Sequence, residues 1–385
     1  MSHESITFSK EELARYDRHI IIPEFNLEGQ KKLKAAKVLV IGSGGLGSPL
    51  LQYLAAAGVG TIGIVDYDVV DDSNLQRQVL FTVDDIGKPK VEAAKQRILG
   101  INPYITVHTY NTQFHSSNAL DIIKDYDIVA DGTDNFPTRY LVNDACVLAG
   151  KVNVYGSIFR FDGQVSVFNY TDANGHTGPN YRDLFPTPPP PGLVPSCAEG
   201  GVLGVLPGII GSLQANEVIK VITGLGDVLA GKLYLFDALS FESRTLKVAK
   251  NPETKITGLI DYEQFCGLKE TAKETSNGMK EITVQELKAW MDANEDFQLI
   301  DVREPHEYDI VNLGGELVPL SQLPNINLDE KVSKDKKVVV HCKMGGRSAK
   351  AIQYIIDKNG QNNLYNLVGG ILAYAKEIDP SLPTY

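Results

Sequence analysis

Residues 36–68, AKVLVIGSGGLGSPLLQYLAAAGVGTIGIVDYD, set the architecture of this chain. The apolar run KVLVIG predicts a buried parallel strand, the glycines that follow predict a tight turn opening a helix, and TIGIVDYD predicts a second buried strand. Asp66 ends that second strand about two dozen residues after Gly42, where the ribose of a bound nucleotide would lie. The order strand, glycine turn, helix, strand is typical of a nucleotide-binding α/β unit.

The alternation of strands and helices continues to about residue 150. KPKVEAAKQRILG, NALDIIKDY and PTRYLVNDACVLAG predict helices, while ITVHTY and DIVADGTD predict strands, so a doubly wound α/β sheet is expected. From about residue 151, VNVYGSIFRFDGQVSVFNY predicts an antiparallel pair that turns through Phe161, Asp162 and Gly163. PGIIGSLQANEVIKVITG then predicts a long helix. The expected fold is therefore a Rossmann-like doubly wound sheet extended by antiparallel strands.

A second, smaller α/β domain is expected after a polar stretch, KETAKETSNGMKE, that is poor in large apolar residues. We predict a first domain at 1–266, a linker at 267–281 and the second domain at 282–385. The chain contains no internal repeat, so the two domains are expected to differ in function.

The second domain contains KKVVVHCKMGGRSA, residues 336–349, in which an apolar run leads a cysteine into a glycine-rich loop before a helix. Backbone N–H groups, the positive end of the helix and two basic side chains would all favour an anionic sulfur. This predicts a reactive thiolate in a loop made of Cys342, Lys343, Met344, Gly345, Gly346 and Arg347. The context of Cys146 and Cys266 instead predicts structural residues.

Composition excludes some classes of protein. The 385 residues carry a formal net charge of −11 and supply no broad basic face, which argues against a nucleic-acid binder. No apolar run approaches the roughly 20 residues of a membrane-spanning helix, and the first residues lack the apolar core of a signal peptide. The cysteines are spaced without pattern, which favours a reducing compartment, so cytoplasm is the simplest expectation.

Charged residues beside the glycine turn distinguish between nucleotides. Arg77 and Lys90 are placed to neutralise a triphosphate, and Asp134 could hold the magnesium that bridges its phosphates. An NAD-dependent oxidoreductase is the alternative on the glycine motif alone, but hydride transfer needs no such cluster.

Seven motifs then occur in order over roughly residues 12–266: RYDRHI, GSGGLG, VDYD, SNLQRQ, GKPK, GTDN and PSCAEGGVLG. In these motifs the chain resembles the MoeB/ThiF family of adenylyltransferases, which are related to ubiquitin-activating enzymes. LIDVREPHEY, HCKMGGRS and LVGGILAYA resemble a rhodanese domain. Together they resemble fused enzymes in which a rhodanese domain follows a MoeB-like domain.

The resemblance implies a substrate and a reaction. The substrate would be a small ubiquitin-fold sulfur carrier, similar to MoaD or ThiS, whose terminal Gly-Gly carboxylate attacks the α-phosphorus of ATP to give an acyl-adenylate. A persulfide on Cys342 would then attack that adenylate, and the product would be a carrier thiocarboxylate. A cysteine desulfurase or thiosulfate would supply the sulfur. The pathway stays open, because molybdopterin, thiamine, and tRNA or amino-acid sulfur routes use carriers of the same shape.

The resemblance also implies roles for particular residues. Arg18 would reach into the site from a partner subunit, which implies a homodimer, and Cys197 on the proline-rich crossing segment would serve a later disulfide or thioester step. Nucleotide-binding and catalytic positions would be Gly42, Gly44, Gly45, Gly47, Asp66, Ser73, Asn74, Leu75, Gln76, Arg77, Lys90, Asp134 and Asn135, with magnesium at Asp134.

Two features qualify the resemblance. Four residues separate Cys342 from Arg347, the length of a sulfurtransferase loop rather than the longer loop of related phosphatases. Most family members bind zinc through two CxxC pairs, but this chain reads NYRD at 180–183 and has no paired cysteines at 251–267, so no zinc site is predicted. A non-catalytic dimer that displays the rhodanese domain remains a further alternative.

Overall fold

A computed structural model describes residues 6–189, 200–267 and 279–385. The chain divides into two compact units, Met1–Glu270 and Thr271–Tyr385. The first contains an eight-stranded sheet and the second a five-stranded sheet. The predicted α/β class is therefore confirmed for both parts of the chain.

The sheet of the first unit is parallel on one side and antiparallel on the other. Its order is β3-β2-β1-β4-β5-β6-β7-β8, with parallel pairing from β3 to β5 and antiparallel pairing from β5 to β8. The strands are β1 Lys37–Ile41, β2 Thr61–Asp66, β3 Thr106–Asn111, β4 Ile128–Asp131, β5 Val152–Phe159, β6 Asp162–Phe168, β7 Lys232–Asp237 and β8 Glu242–Lys247. The predicted antiparallel extension is thus confirmed.

The turn between β5 and β6 corrects one detail of the sequence analysis. Phe159 pairs with Asp162, so the turn consists of Arg160 and Phe161, while Asp162 and Gly163 already belong to β6. Arg160 has a φ of +53°, the left-handed conformation that a two-residue hairpin uses to match the twist of its strands. Of the predicted turn residues Phe161, Asp162 and Gly163, only Phe161 therefore lies in the turn.

Helices cover both faces of this sheet. They are α1 Lys10–Ile20, α2 Asn26–Ala35, α3 Gly47–Ala57, α4 Lys90–Ile101, α5 Ala119–Ile123, α6 Phe136–Ala149, α7 Tyr181–Leu184, α8 Leu206–Thr223 and α9 Tyr262–Phe265. Side chains of β1 alternate between two cores: Val38 and Val40 join one with α3, α4 and α8, whereas Leu39 and Ile41 join the other with α5 and α6. Such burial on both faces is typical of a doubly wound sheet.

The glycine turn after β1 lets helix and strand approach closely. Gly42 has a φ of +89°, which a residue with a Cβ rarely adopts. A Cβ on Gly47 would lie 2.1 Å from the carbonyl oxygen of Gly42. The first turn of α3 therefore packs directly on the turn backbone.

The second unit has a fully parallel sheet in the order β11-β10-β12-β13-β9. Its strands are β9 Lys280–Ile282, β10 Phe297–Asp301, β11 Glu316–Leu317, β12 Lys337–His341 and β13 Leu364–Leu367. Its helices are α10 Val284–Asp292, α11 Pro305–Ile310, α12 Leu328–Lys331, α13 Gly346–Asn359 and α14 Gly370–Glu377. Strand β9 starts inside the stretch predicted as linker.

Throughout the described ranges, no helix combines the length and the apolar character that crossing a bilayer requires.

Candidate functional site

A cleft opens at the carboxyl ends of β1, β2 and β4. This is the edge of a parallel sheet at which nucleotides bind in doubly wound folds. The predicted site residues that line the cleft are Gly42, Gly44, Gly45, Asp66, Arg77, Lys90, Asp134 and Asn135. Basic and acidic groups that lie far apart in the sequence thus face one space.

Asp66 is fixed by the turn that precedes α3. Its Oδ2 accepts hydrogen bonds from Ser43 N and Ser43 Oγ, both at 2.8 Å, and its Oδ1 accepts one from Asp68 N at 3.0 Å. A carboxylate offers about four acceptor positions, so Oδ1 can still accept from a ligand hydroxyl. The half-buried carboxylate therefore suits a ribose.

Lys90 and Arg77 bring positive charge to the cleft. Lys90 is buried at the start of α4, and its Nζ lies 2.8 Å from Asp68 Oδ2. Arg77 donates from Nη1 to Ser73 O at 3.1 Å, which holds its side chain along the preceding turn. A bound polyanion would have to replace Asp68 as the partner of Lys90.

The turn after β4 presents Asp134 to the cleft. Buried Asp131 accepts from Thr133 N at 2.9 Å and from Thr133 Oγ1 at 2.7 Å, while Asn135 caps α6 by accepting from Thr138 N at 3.0 Å. Burial raises the pKa of Asp131. Its Oδ2 has no hydrogen-bond partner in the described part of the chain. Asp134 stands exposed between these two anchored residues.

Asp134 fits magnesium as a single protein ligand. Mg²⁺ is usually held by one or two carboxylates together with substrate phosphates and water. Among the residues that the structure describes, no group of three or more His, Cys, Asp or Glu side chains could hold a metal ion. A cation at Asp134 would therefore take its other ligands from the nucleotide and water.

Several predicted residues do not line the cleft. Gly47 packs beneath the turn, and Ser73, Asn74, Leu75 and Gln76 lie on or beside the short 3-10 turn Asp72–Asn74. Arg18 is exposed on α1, with its Nη1 2.6 Å from Asp17 Oδ2, so the cleft of its own chain does not include it. Cys197 lies outside the described residues.

Gln78 lies in the cleft although it is not among the predicted site residues. Gln78 is buried, lines the cleft, and its Oε1 has no partner within the described ranges. The signal that could have identified it is its place one residue after Arg77, in the same SNLQRQ motif. Its amide can recognise a polar group of a ligand.

The residues at the place of the first zinc pair do not fit zinc. Asp183 Oδ2 accepts from Asn180 N at 2.8 Å and from Asn180 Nδ2 at 2.9 Å, and Asp183 Oδ1 accepts from Asn251 N at 3.1 Å. These groups bond one another and supply no thiolate, whereas structural zinc sites use cysteine and histidine. The absence of zinc stays a prediction.

In the second unit, Cys342 lies at the carboxyl end of β12 and is buried, with 1% of its surface exposed. Its Sγ accepts from Gly345 N at 3.1 Å and lies 3.5 Å from Ser348 Oγ. Its carbonyl oxygen accepts from Ile371 N at 2.9 Å, and a Cβ on Gly370 would lie 2.5 Å from that oxygen. The backbone of α14 therefore holds the predicted loop in place.

Arg347 at the end of the loop is bound by an acid that the sequence analysis did not identify. Its Nη1 and Nη2 donate to Glu307 Oε2 and Oε1 at 2.6 and 2.7 Å. Burial alone would raise the pKa of Glu307, but hydrogen bonds from Arg347, Glu304 N and Tyr385 outweigh it and lower that pKa to about 2. Glu307 and Tyr385 are 40 and 38 residues from Arg347, so no local pattern announces them.

His341 and the ion pair beside it are structural. Asp301 and Arg303 form a fully buried pair with an Nη2–Oδ2 distance of 2.6 Å. His341 is also fully buried, with Nε2 3.6 Å from Asp301 Oδ2, and burial lowers its pKa to about 4. Their complete burial favours a structural role for all three residues.

The folds and sites together define an α/β protein of the nucleotide-binding class, followed by a domain in which a buried cysteine begins a glycine-rich loop that ends at an arginine. Family models match the same regions: the ThiF family covers residues 16–257, and the rhodanese-like domain covers residues 283–377. The chain belongs to the ThiF family, and a rhodanese-like domain follows its ThiF domain.

Three known proteins illustrate this relationship. The probable adenylyltransferase/sulfurtransferase MoeZ of Mycobacterium tuberculosis is 52% identical over 380 residues, covering 98% of this chain and 96% of that protein. The sulfur carrier protein adenylyltransferase of Thermus thermophilus is 54% identical over 269 residues, covering 68% of this chain and 99% of that protein. A crystal structure of E. coli MccB with MccA-N7isoASN shares the fold, with a TM-score of 0.56 over 65% of this chain and 75% of that chain at 23% identity.

These findings confirm the resemblance and the prediction of an enzyme. The chain is an enzyme with an adenylyltransferase domain and a sulfurtransferase domain, in a family that uses ATP. The oxidoreductase alternative is not retained.

Proposed function

We propose that this protein adenylylates the terminal Gly-Gly carboxylate of a small ubiquitin-fold sulfur carrier and then transfers sulfur to it from Cys342. The observation that carries the proposal is the convergence of Asp66, Arg77, Lys90 and Asp134 on one cleft. The same chain presents Cys342 in a second unit. Its relatives are named as an adenylyltransferase/sulfurtransferase and as a sulfur carrier protein adenylyltransferase.

In the first step, the chain's own residues bind and orient the nucleotide. Asp66 accepts from the ribose, and the turn at Gly44 and Gly45 has no side chains that would keep phosphates from the backbone. Lys90 and Arg77 neutralise the phosphates, while Asp134 would hold the magnesium that neutralises charge on them. A carrier carboxylate oxygen bonds to the α-phosphorus as the bond to pyrophosphate breaks.

In the second step, sulfur leaves Cys342. The outer sulfur of a Cys342 persulfide attacks the acyl carbon, AMP departs with the bonding electrons, and an acyl disulfide joins carrier to enzyme. A second thiolate then attacks Sγ of Cys342, which releases the thiocarboxylate and leaves an enzyme disulfide for a thiol reductant. The resemblance assigns that second thiolate to Cys197.

The proposal includes domains and partners. We place the adenylylating domain at 1–266, the linker at 267–281 and the sulfurtransferase domain at 282–385. We assign Arg18 to the cleft of a second subunit in a homodimer, as the resemblance implies; its exposed position outside the cleft of its own chain is what that role requires. A cysteine desulfurase is the proposed source of sulfur.

The test is carrier-dependent exchange of labelled pyrophosphate into ATP, using each Gly-Gly-tailed small protein from the source organism. Exchange with one carrier, lost when its last glycine is removed, is the expected result. Asp134→Ala should abolish exchange, whereas Cys342→Ser should retain exchange and lose thiocarboxylate formation. A folded, magnesium-supplied preparation that exchanges with no carrier would contradict adenylylation and favour the scaffold alternative.

A further inference from the structure

The loop around Cys342 contains two cationic side chains, and both contact the same tyrosine network. Lys343 Nζ lies 4.7 Å from the centre of the Tyr385 ring, within cation–π distance. The Tyr385 hydroxyl donates to Glu307 Oε1 at 2.9 Å, and Glu307 binds Arg347. Tyr385 is thus the residue through which the two positive ends of the loop are connected.

Tyr385 is itself anchored to the buried ion pair at the end of β10. Arg303 Nη1 donates to the Tyr385 hydroxyl at 2.6 Å, while other Arg303 nitrogens donate to Asp301. The hydroxyl therefore accepts from Arg303 and donates its single proton to Glu307. Burial raises the pKa of Tyr385 to about 12, so that proton is retained at neutral pH.

Glu307 has its acceptor positions filled. Oε1 accepts from Arg347 Nη2 and Tyr385, and Oε2 accepts from Arg347 Nη1 and, at 3.0 Å, from Glu304 N. A carboxylate has about four such positions, so the geometry is complete. A bidentate pair of this kind holds an arginine in one orientation.

The positive charge of Arg347, at the end of the Cys342 loop, is paired directly with the negative charge of Glu307. Hydrogen bonds from its guanidinium to Glu307 raise the pKa of Arg347, so this arginine stays fully charged within the pair. An incoming dianion meets the opposite charges of Arg347 and Glu307 together. The loop backbone, which includes the Gly345 N–H directed at Cys342 Sγ, still favours an anion.

We propose that Glu307, held by Tyr385, is a specificity-determining residue that neutralises Arg347, so that the loop takes sulfur from an organic persulfide in preference to thiosulfate. The inference rests on the proposed sulfurtransferase function. With a persulfide, the Cys342 thiolate bonds to the outer sulfur, the S–S bond breaks and a thiolate leaves. With thiosulfate, the same attack expels sulfite, and the donor must first bring two oxyanion charges into the loop.

The test measures single-turnover persulfidation of Cys342 in the full chain by intact mass, with peptide mapping to place the added sulfur. Thiosulfate and 2-mercaptoethanol persulfide are the two donors. Varying the thiosulfate concentration separates the half-saturating concentration from the maximal rate. Neither ATP nor carrier is needed, so adenylylation can fail without affecting the result.

Glu307→Gln removes the charge and keeps the side-chain shape. It should lower the half-saturating thiosulfate concentration about tenfold, the size expected for one charge acting on a dianion in a partly desolvated site. The gain with 2-mercaptoethanol persulfide, which brings one negative charge rather than two, should be clearly smaller, and the gain with thiosulfate should shrink in high salt. Tyr385→Phe removes only the hydroxyl and should produce a smaller change in the same direction.

Glu330→Gln is the matched control, because Glu330 is an exposed acid of the same domain. It lies on α12 next to Asp329, which contacts Asn359 at the end of α13 opposite to the Cys342 loop. It should change nothing. An unchanged or higher half-saturating concentration in Glu307→Gln contradicts the inference alone. If Glu307→Gln does not fold, Tyr385→Phe decides in the same way. A wild-type chain that takes sulfur from neither donor contradicts the proposed sulfurtransferase and this inference with it.

Discussion

At the scale of single residues, Lys90 shows how one ion pair can prepare a phosphate site. Its side chain is almost fully buried, and a buried ammonium is costly unless an anion accompanies it. Asp68 supplies that anion, and because its own side chain is half exposed, it can turn to water when a phosphate arrives. The pair therefore holds the lysine side chain in place in the free enzyme.

Replacing Lys90 should impair nucleotide chemistry more than folding. Lys90→Met should reduce carrier-dependent pyrophosphate exchange about 100-fold, the cost of removing one preorganised donor from developing charge. Lys88→Met is the control, because Lys88 lies only two residues before Lys90 but pairs with Asp85 at the surface. The Lys88→Met variant should exchange pyrophosphate at the normal rate. Equal losses in the two variants would show that Lys90 has no special role.

His341 predicts how stability depends on pH. Its folded pKa is about 4 because burial outweighs attraction by Asp301, with Arg303 also opposing the charge, whereas the ordinary value is 6.5. Between these values the unfolded chain binds a proton that the folded chain does not. The stabilising contribution is therefore fully present above pH 6.5 and is lost as the pH falls towards 4.

The measurement is the free energy of unfolding in urea at pH 7, 6 and 5. The wild-type chain should lose about 1.4 kcal/mol more per pH unit than His341→Gln between pH 6 and 5. Glu307, whose folded pKa is about 2, affects stability only at lower pH. Parallel pH profiles for the two proteins would contradict the assignment.

At the scale of elements, the contact of α3 with the glycine turn determines whether the nucleotide cleft can form. Gly47→Ala would place a Cβ 2.1 Å from the Gly42 carbonyl oxygen, so backbone must move. We expect a loss of about 3 kcal/mol in unfolding free energy. Gly100→Ala in α4 is the control: its Cβ meets no atom within 4 Å, so it should stabilise by about 0.5–1 kcal/mol. A neutral Gly47→Ala would refute the close-packing argument.

A polar network surrounds α7, the position at which the family resemblance would place the first zinc-binding cysteine pair. Arg182 donates from Nε and Nη2 to buried Asp144 at 2.8 and 2.7 Å, and Tyr262 donates to the same carboxylate at 2.8 Å. The guanidinium lies 5.1 Å from the Tyr140 ring centre and 4.6 Å from that of Phe265. This network connects α6, α7 and α9.

Breaking the network should destabilise the first unit without any metal effect. Asp144→Ala should cost about 3–5 kcal/mol because it leaves Arg182 buried without its carboxylate. Asp121→Ala, at an exposed pair with Lys124, should cost about 0–1 kcal/mol. A chelator should leave the melting temperature unchanged. One zinc per chain by elemental analysis, with a chelator-sensitive melting temperature, would contradict the prediction of no zinc site.

At the scale of the whole molecule, the sequence predicts what local patterns determine. KVLVIG and TIGIVDYD became β1 and β2 because an apolar run next to a glycine turn has few other stable arrangements. The position of the cleft could be predicted because Asp66 and Asp134 follow strands whose carboxyl ends share one edge of the sheet. The pairing of Lys90 with Asp68 could not be predicted, because only folding brings these residues together. The same holds for Glu307, which binds both Arg347 and Tyr385.

Each unit has its own buried core, which predicts that each folds without the other. Ile300, Val338 and Ile352 belong to a core within the second unit, while Val38, Leu50 and Val91 belong to one within the first. Residues 279–385 alone should unfold cooperatively, because a core of this kind is the condition for a self-sufficient domain.

The fragment 279–385 should also accept sulfur on Cys342 from 2-mercaptoethanol persulfide as fast as the full chain does, because the bonds of Gly345 to Cys342, of Arg347 to Glu307 and of Tyr385 to Glu307 lie inside it. The fragment 1–267 should retain carrier-dependent pyrophosphate exchange. Cys342→Ser in the smaller fragment controls for sulfur added elsewhere. A smaller fragment that lacks cooperative unfolding, measured by circular dichroism in urea, would show that its fold depends on the rest of the chain.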